Sequence, residues 1–173
     1  MTLRPVNGTG SIIAKTNSTA CLENVASAMI VHARVDTAVG MSEIIEVFLP
    51  MIPPTVTAQE HKVTVVNGKP RYYDPPRLKA ARNKLTGALA YHRPDTPLRG
   101  ALRLVVKWCF PMGKHQNGQY KDTRPDTDNL QKLLKDCMTD CGYWRDDAQV
   151  ASEIIEKFWA KIPGIYIRVE EIS

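Results

Sequence analysis

No stretch of this 173-residue chain approaches the roughly 20 consecutive apolar residues of a membrane helix, so no helical membrane span is expected. The N-terminus also lacks a compact apolar core of signal-peptide length. Cysteine is scarce. Cys21, Cys109, Cys137 and Cys141 form no CxxC pair and no spacing typical of zinc, so free thiols and a cytoplasmic protein are expected. His32, His61, His92 and His115 are scattered, with no HxH or HExxH pairing, and a histidine-based metal site is not indicated. There is no internal repeat or low-complexity tract. The length suits one domain with a real core, and hardly two.

What the chain does have is charge, unevenly spread. The formal net charge is +5. Residues 1–70 are neutral overall, while residues 71–124 carry twelve basic and three acidic side chains, a net +9. Residues 125–173 are net −4. The middle third therefore reads as a nucleic-acid footprint. Binding through Lys and Arg to phosphate should weaken steeply with salt.

The acidic third concentrates four carboxylates around one predicted helix. They lie in Arg124-Pro125-Asp126-Thr127-Asp128-Asn129-Leu130-Gln131-Lys132 and in Trp144-Arg145-Asp146-Asp147-Ala148-Gln149-Val150. Leu130, Leu133, Leu134, Cys137 and Met138 follow the i, i+3, i+4, i+7, i+8 pattern of a helix with one buried stripe. Asp128 suits the N-cap, and Gly142 suits the C-terminal cap. Asp128 and Lys132 share a face that is not the leucine stripe, which allows a simple ion pair between them. The short connection Tyr143-Trp144-Arg145 is expected to bring Asp146 and Asp147 back towards the first pair. Carboxylates at this density repel unless a cation sits between them. Mg²⁺ suits, because it takes a few carboxylate oxygens and keeps its other positions for water and phosphate oxygen. An acidic metal pocket in a basic protein points to chemistry on a nucleic-acid phosphate.

Asp126-x-Asp128-Asn129-x-x-Lys132, followed by Gly142-Tyr143-Trp144-x-Asp146-Asp147-x-Gln149-Val150, resembles the signature of the RusA family of Holliday junction resolvases. A weaker resemblance runs upstream through Pro53-Pro54 and the basic segment Tyr73 to Lys84. One departure is Thr55-Val56-Thr57-Ala58, where family members often carry Asn. The resemblance implies that Asp126, Asp128 and Asp147 hold Mg²⁺, or Mn²⁺ as a substitute, with Asp146 a further candidate ligand. It implies that Lys132 is the essential lysine, which would orient water or neutralise the phosphate. It also implies a homodimer, probing branched DNA and making paired nicks in opposing strands of a four-way junction. Two other readings stand beside it. One is a nuclease of the same chemistry acting on flaps or forks. The other is a catalytically silent DNA-binding module with a structural acidic cluster.

Along the rest of the chain, Thr2 to Thr19 read as flexible and Leu22 to Val35 as a short helix. The composition changes near Met41, so residues 1–40 are expected to be an extension of a domain spanning 41–173. Deleting residues 1–40 is expected to leave a folded, active protein, checked by circular dichroism and nicking assays. Ile44 to Leu49, Leu102 to Phe110, Val150 to Trp159 and Ile165 to Ile172 read as strands. Asn67-Gly68 predicts a hairpin turn. Pro75-Pro76 opens a helix running from Arg77 to Tyr91. Arg77, Lys79, Arg82, Lys114, Lys121 and Arg124 are the candidate DNA contacts. The fold class expected is α+β, one domain with a mixed β-sheet and helices packed on it.

Overall fold

A computed structural model describes residues 31–36, 41–56 and 62–172. Among the described residues, eight strands and two α-helices follow one another. They are β1 (Val31–Asp36), β2 (Met41–Pro50), β3 (Lys62–Val66), β4 (Lys69–Tyr73), α1 (Pro76–Ala90), β5 (Ala101–Pro111), β6 (Gln119–Tyr120), α2 (Thr127–Cys141), β7 (Val150–Ala160) and β8 (Gly164–Ile172). The main sheet has the order β1-β2-β8-β5-β7-β6, and β3 and β4 form a separate hairpin. The pair β5 and β7 is parallel and every other pair is antiparallel, so the sheet is mixed, as expected. Among the described residues no helix is long and apolar enough to cross a membrane.

Local sequence explains most elements. Asn67 and Gly68 both adopt positive φ, 51° and 71°, as a two-residue turn matched to strand twist demands. Pro76 occupies the first turn of α1, where its missing N–H has no partner to lose. On β5, Leu102, Leu104, Val106, Trp108 and Phe110 alternate into the core. Ile165, Ile167 and Val169 do the same on β8. The helices answer with Leu78, Leu85 and Leu89 from α1, and with Leu130, Leu133, Leu134, Cys137 and Met138 from α2. Each such side chain contributes about 1.5–3 kcal/mol on burial. Cys109, Cys137 and Cys141 are free and buried. Burial pushes the Cys137 thiol up to about 11, which keeps it protonated and inert at neutral pH.

Residues 31–35 correct the expected helix over Leu22 to Val35. They belong to β1, which pairs with β2 from Val31 opposite Glu46 to Asp36 opposite Met41. The edge of the sheet offers this backbone a ladder of hydrogen bonds, and the β-branched Val31 and Val35 suit a strand. The expectations for residues 2–19 and 22–30 lie outside the described residues.

Two features of topology position the site. Parallel neighbours cannot be joined by a tight turn, so α2 serves as the crossover from β5 to β7 and runs against both strands. The two helices, in contrast, run in the same direction. Cys137 Sγ lies 4.0 Å from the Arg82 carbonyl oxygen and Cys141 Sγ lies 3.6 Å from that of Thr86, so the start of α1 flanks the start of α2.

Candidate active site

The approach to α2 is held by two lysines. Lys121 is 7 % exposed, and its Nζ donates to the carbonyls of Thr123 (3.2 Å) and Arg124 (2.6 Å) as well as to the Thr123 hydroxyl. The same ammonium lies 4.4 Å from the centre of the Trp159 ring and 5.3 Å from that of Phe110. Burial, and then the neighbouring charge of Lys157, lower its pKa. Lys157 Nζ donates to the carbonyls of Thr123 (3.0 Å) and Pro125 (2.7 Å). The turn that delivers Asp126 is thus clamped from the sheet. His115 stacks on the other partner of this clamp, the Trp159 ring, at 4.2 Å.

Asp126, not Asp128, occupies the N-cap, with extended φ and ψ of −75° and 147°. Its side chain accepts no capping hydrogen bond. Asp128 falls in the first helical turn. Both carboxylates are exposed, beside backbone N–H groups that have no helical partner and a positive dipole end. Lys132 is exposed on the same face, and among the described residues no ion pair joins it to Asp128. Both groups are therefore free to meet a ligand. One turn further on, Lys135 pairs with Glu153 of β7 at 2.7 Å.

Asp146 and Asp147 sit on a 3-10 turn, Asp147–Gln149, just before β7. Asp146 caps this turn by accepting from the Ala148 N–H at 2.8 Å. The Gln149 side chain closes the turn from the other side. Its Oε1 accepts from the N–H groups of Arg145 (3.0 Å) and Asp146 (3.3 Å), and its Nε2 donates to the carbonyls of Leu98 and Gly100. Asp147 is left exposed. Here the turn borders a cleft of about 260 Å³ lined by Arg82, Asp136, Thr139, Asp140, Arg145, Asp146 and Asp147.

That cleft lies at the C-terminal half of α2, and this overturns one expectation. The connection after Gly142 does not return Asp146 and Asp147 to Asp126 and Asp128. Along β7, Glu153 meets Lys135 and Lys157 meets Pro125, so the start of β7 is remote from Asp126. The two acidic pairs stand at opposite ends of a fifteen-residue helix, on the order of 20 Å apart at 1.5 Å per residue. Among the described residues no group of three histidine, cysteine, aspartate or glutamate side chains could hold a metal ion. The four aspartates of one chain therefore do not fit a shared Mg²⁺.

The candidate DNA contacts divide. Lys114 and Arg124 are exposed at the Asp126 end, and Arg77 and Lys79 are exposed on the flanking start of α1. Two others are revised. Lys121 is buried and spent on carbonyls, as above. Arg82 is engaged by Asp74 (3.5 Å), Asp136 (3.4 Å) and Asp140 (3.4 Å), so it ties α1 to α2. A basic residue reads alike in sequence whether it faces phosphate or a carboxylate. Lys157 and Gln149 had no sequence role as site residues. The only signal for Lys157 is a charge on the helix-facing side of a strand.

The model of the family described as "Endodeoxyribonuclease RusA" matches residues 51–170. A protein of Lactococcus phage r1t, named crossover junction endodeoxyribonuclease rusA, is 32% identical over 97 residues, covering 54% of this chain and 72% of its own length. The uncharacterised protein YqaN of Bacillus subtilis (strain 168) is 29% identical over 122 residues, covering 64% of this chain and 85% of its own.

Proposed function

The chain belongs to the RusA family of endodeoxyribonucleases, and from that premise we propose that it resolves four-way DNA junctions by paired, symmetric, Mg²⁺-dependent nicks. The proposal places it in cytoplasmic DNA recombination and repair. The observation that carries it is the exposed start of α2, where Asp126, Asp128 and Lys132 stand free of partners inside the protein. Arg77, Lys79, Lys114 and Arg124 surround that end and supply cations for backbone phosphates. Two helix N-termini face the same way there, and each favours an anion.

Lys132 would stabilise the charge that develops on the scissile phosphate, at the position where a donor is worth most in a water-poor site. Arg77, Lys79, Lys114 and Arg124 would orient the junction arms. Aspartate oxygens select a hard divalent cation, Mg²⁺ or Mn²⁺, but one chain alone does not complete the ligand set.

The test is nicking of labelled four-way, flap and linear duplex DNA by the purified protein, with Mg²⁺ or with EDTA. Symmetric nicks confined to the four-way junction and abolished by EDTA are expected. Equal cutting of flaps would make the protein a flap or fork nuclease. Salt-sensitive binding without cutting would make it a DNA-binding module only.

A further inference from the structure

We infer that the β3–β4 hairpin lies in the major groove of a junction arm and reads base edges near the cut, with Arg71 as the residue that selects guanine. This rests on the nuclease activity proposed for the start of α2. It deepens that reading by naming what sets the sequence at which the site cuts.

The first observation is a ribbon without a packed face. Strands β3 and β4 pair with each other and, among the described residues, with no other strand. Their described side chains are exposed on both faces. Val63 is 53% exposed and Val65 68%. A two-stranded ribbon with neither face covered is marginal in water. Five residues a side are kept in it all the same, and a partner from outside the chain accounts for that.

The second observation is the chemistry of its faces. Side chains alternate along a strand, so Lys69, Arg71 and Tyr73 share one face of β4, and Thr64 of β3 stands opposite Arg71 on that face. Val63 and Val65 take the other face, with Pro70 opposite Val65. From His61 to Tyr73 there is no carboxylate, against Lys62, Lys69 and Arg71. Among the described residues neither Lys69 nor Arg71 has an ion-pair partner, whereas Arg82 has three. A second copy of the ribbon would set these cations against one another. Nucleic acid complements them.

The third observation is size and place. A two-stranded ribbon fits the major groove, which is about 12 Å wide. Five residues at about 3.4 Å each span roughly 17 Å, the rise of about five base pairs. Arg71 is the middle residue of β4. Its guanidinium offers the two parallel N–H groups that guanine O6 and N7 accept. Thr64, opposite, can bond a neighbouring base. The root of the ribbon is fixed to both helices. Asp74, the residue after β4, meets Arg82 of α1 at 3.5 Å, and Arg82 meets Asp136 of α2 at 3.4 Å. Pro75-Pro76 then leads into α1, whose start flanks the start of α2. A duplex held by Arg77 and Lys79 presents its groove to Arg71 just upstream, within about one helical turn of the nicked phosphate.

The test uses four-way junctions whose arms carry randomised base pairs beside the crossover. Wild type, Arg71→Ala and Arg71→Lys are each given the pool, and the bound and the nicked molecules are sequenced. Arg71 is exposed and unpaired among the described residues, so neither substitution should disturb the fold. Wild type is expected to favour guanine at one fixed position by about tenfold or more. Both substitutions should flatten that preference. Arg71→Lys should keep its affinity for arms without the guanine, because lysine retains the charge and loses the fork. Replacing the selected guanine by 7-deazaguanine removes only the N7 acceptor. That change should weaken binding by wild type and leave binding by Arg71→Ala as it was. A preference that survives in Arg71→Ala would overturn the inference. So would an equal loss of affinity for every sequence, which would make Arg71 a phosphate contact. If wild-type protein binds junctions without nicking them, the nuclease reading fails, and the bound pool still decides whether the ribbon reads bases.

Discussion

Asp128→Asn is expected to lower junction nicking by about a thousand-fold or more, at the scale seen when a transition-state charge partner is removed. Junction affinity should be unchanged or higher, because one carboxylate that repels phosphate is gone. The fold should tolerate the change. Asp128 is exposed in the first turn of α2 and makes no capping bond. Losing its charge there removes only about 0.3–1 kcal/mol of helix-dipole interaction. Single-turnover nicking and a binding titration across salt concentrations separate the two effects. Nicking at the wild-type rate would remove Asp128 from the site. A parallel loss of nicking and affinity would make it a binding residue.

Lys157→Met should lower the nicking rate by about a hundred-fold, although Lys157 need never touch DNA. A displacement of about 1 Å at a reacting group costs on that order. Lys157 is the donor that holds the Pro125 carbonyl, and the Thr123 carbonyl retains Lys121. The released turn carries Asp126 with it. An unsatisfied buried carbonyl also costs about 1–3 kcal/mol of stability, so Tm should fall by several degrees. The effect of positioning is distinguished from mere destabilisation by the kinetic split. The expected loss is in kcat, with KM for the junction little changed and partial rescue by Lys157→Arg, which keeps a donor fork at the same place. A lowered Tm with kcat intact below the melting range would reduce Lys157 to a structural residue.

Several elements were legible because they depend on neighbours in the chain. The 3.6-residue period from Leu130 to Met138 marks the buried face of α2, and Gly142 ends that helix in the left-handed conformation at φ 82°. Asn67-Gly68 fixes its hairpin for the same local reason. Alternation of Ile165, Ile167 and Val169 was enough to assign β8 and its inner face. The partners of charged residues were not legible. Arg82 and Lys121 looked like DNA contacts, and long-range packing gave them carboxylates and carbonyls instead.

By itself, therefore, the sequence determined the helix, its C-terminal glycine cap, the strand faces and the chemical types gathered in the motif, since each follows from backbone geometry over a few residues. The same motif carried the resemblance to the RusA family, and the match of the family model over residues 51–170 established membership. Only the tertiary structure decided where the two halves of the motif stand. A parallel pair such as β5 and β7 requires a crossover, the crossover here is α2, and a helix running against its strands delivers Asp126 and Asp147 to opposite ends. Residues twenty-one apart in a motif can be read as one site on paper, but fifteen of the intervening residues form a rigid rod of about 22 Å at 1.5 Å per residue, and no side chain reaches across it.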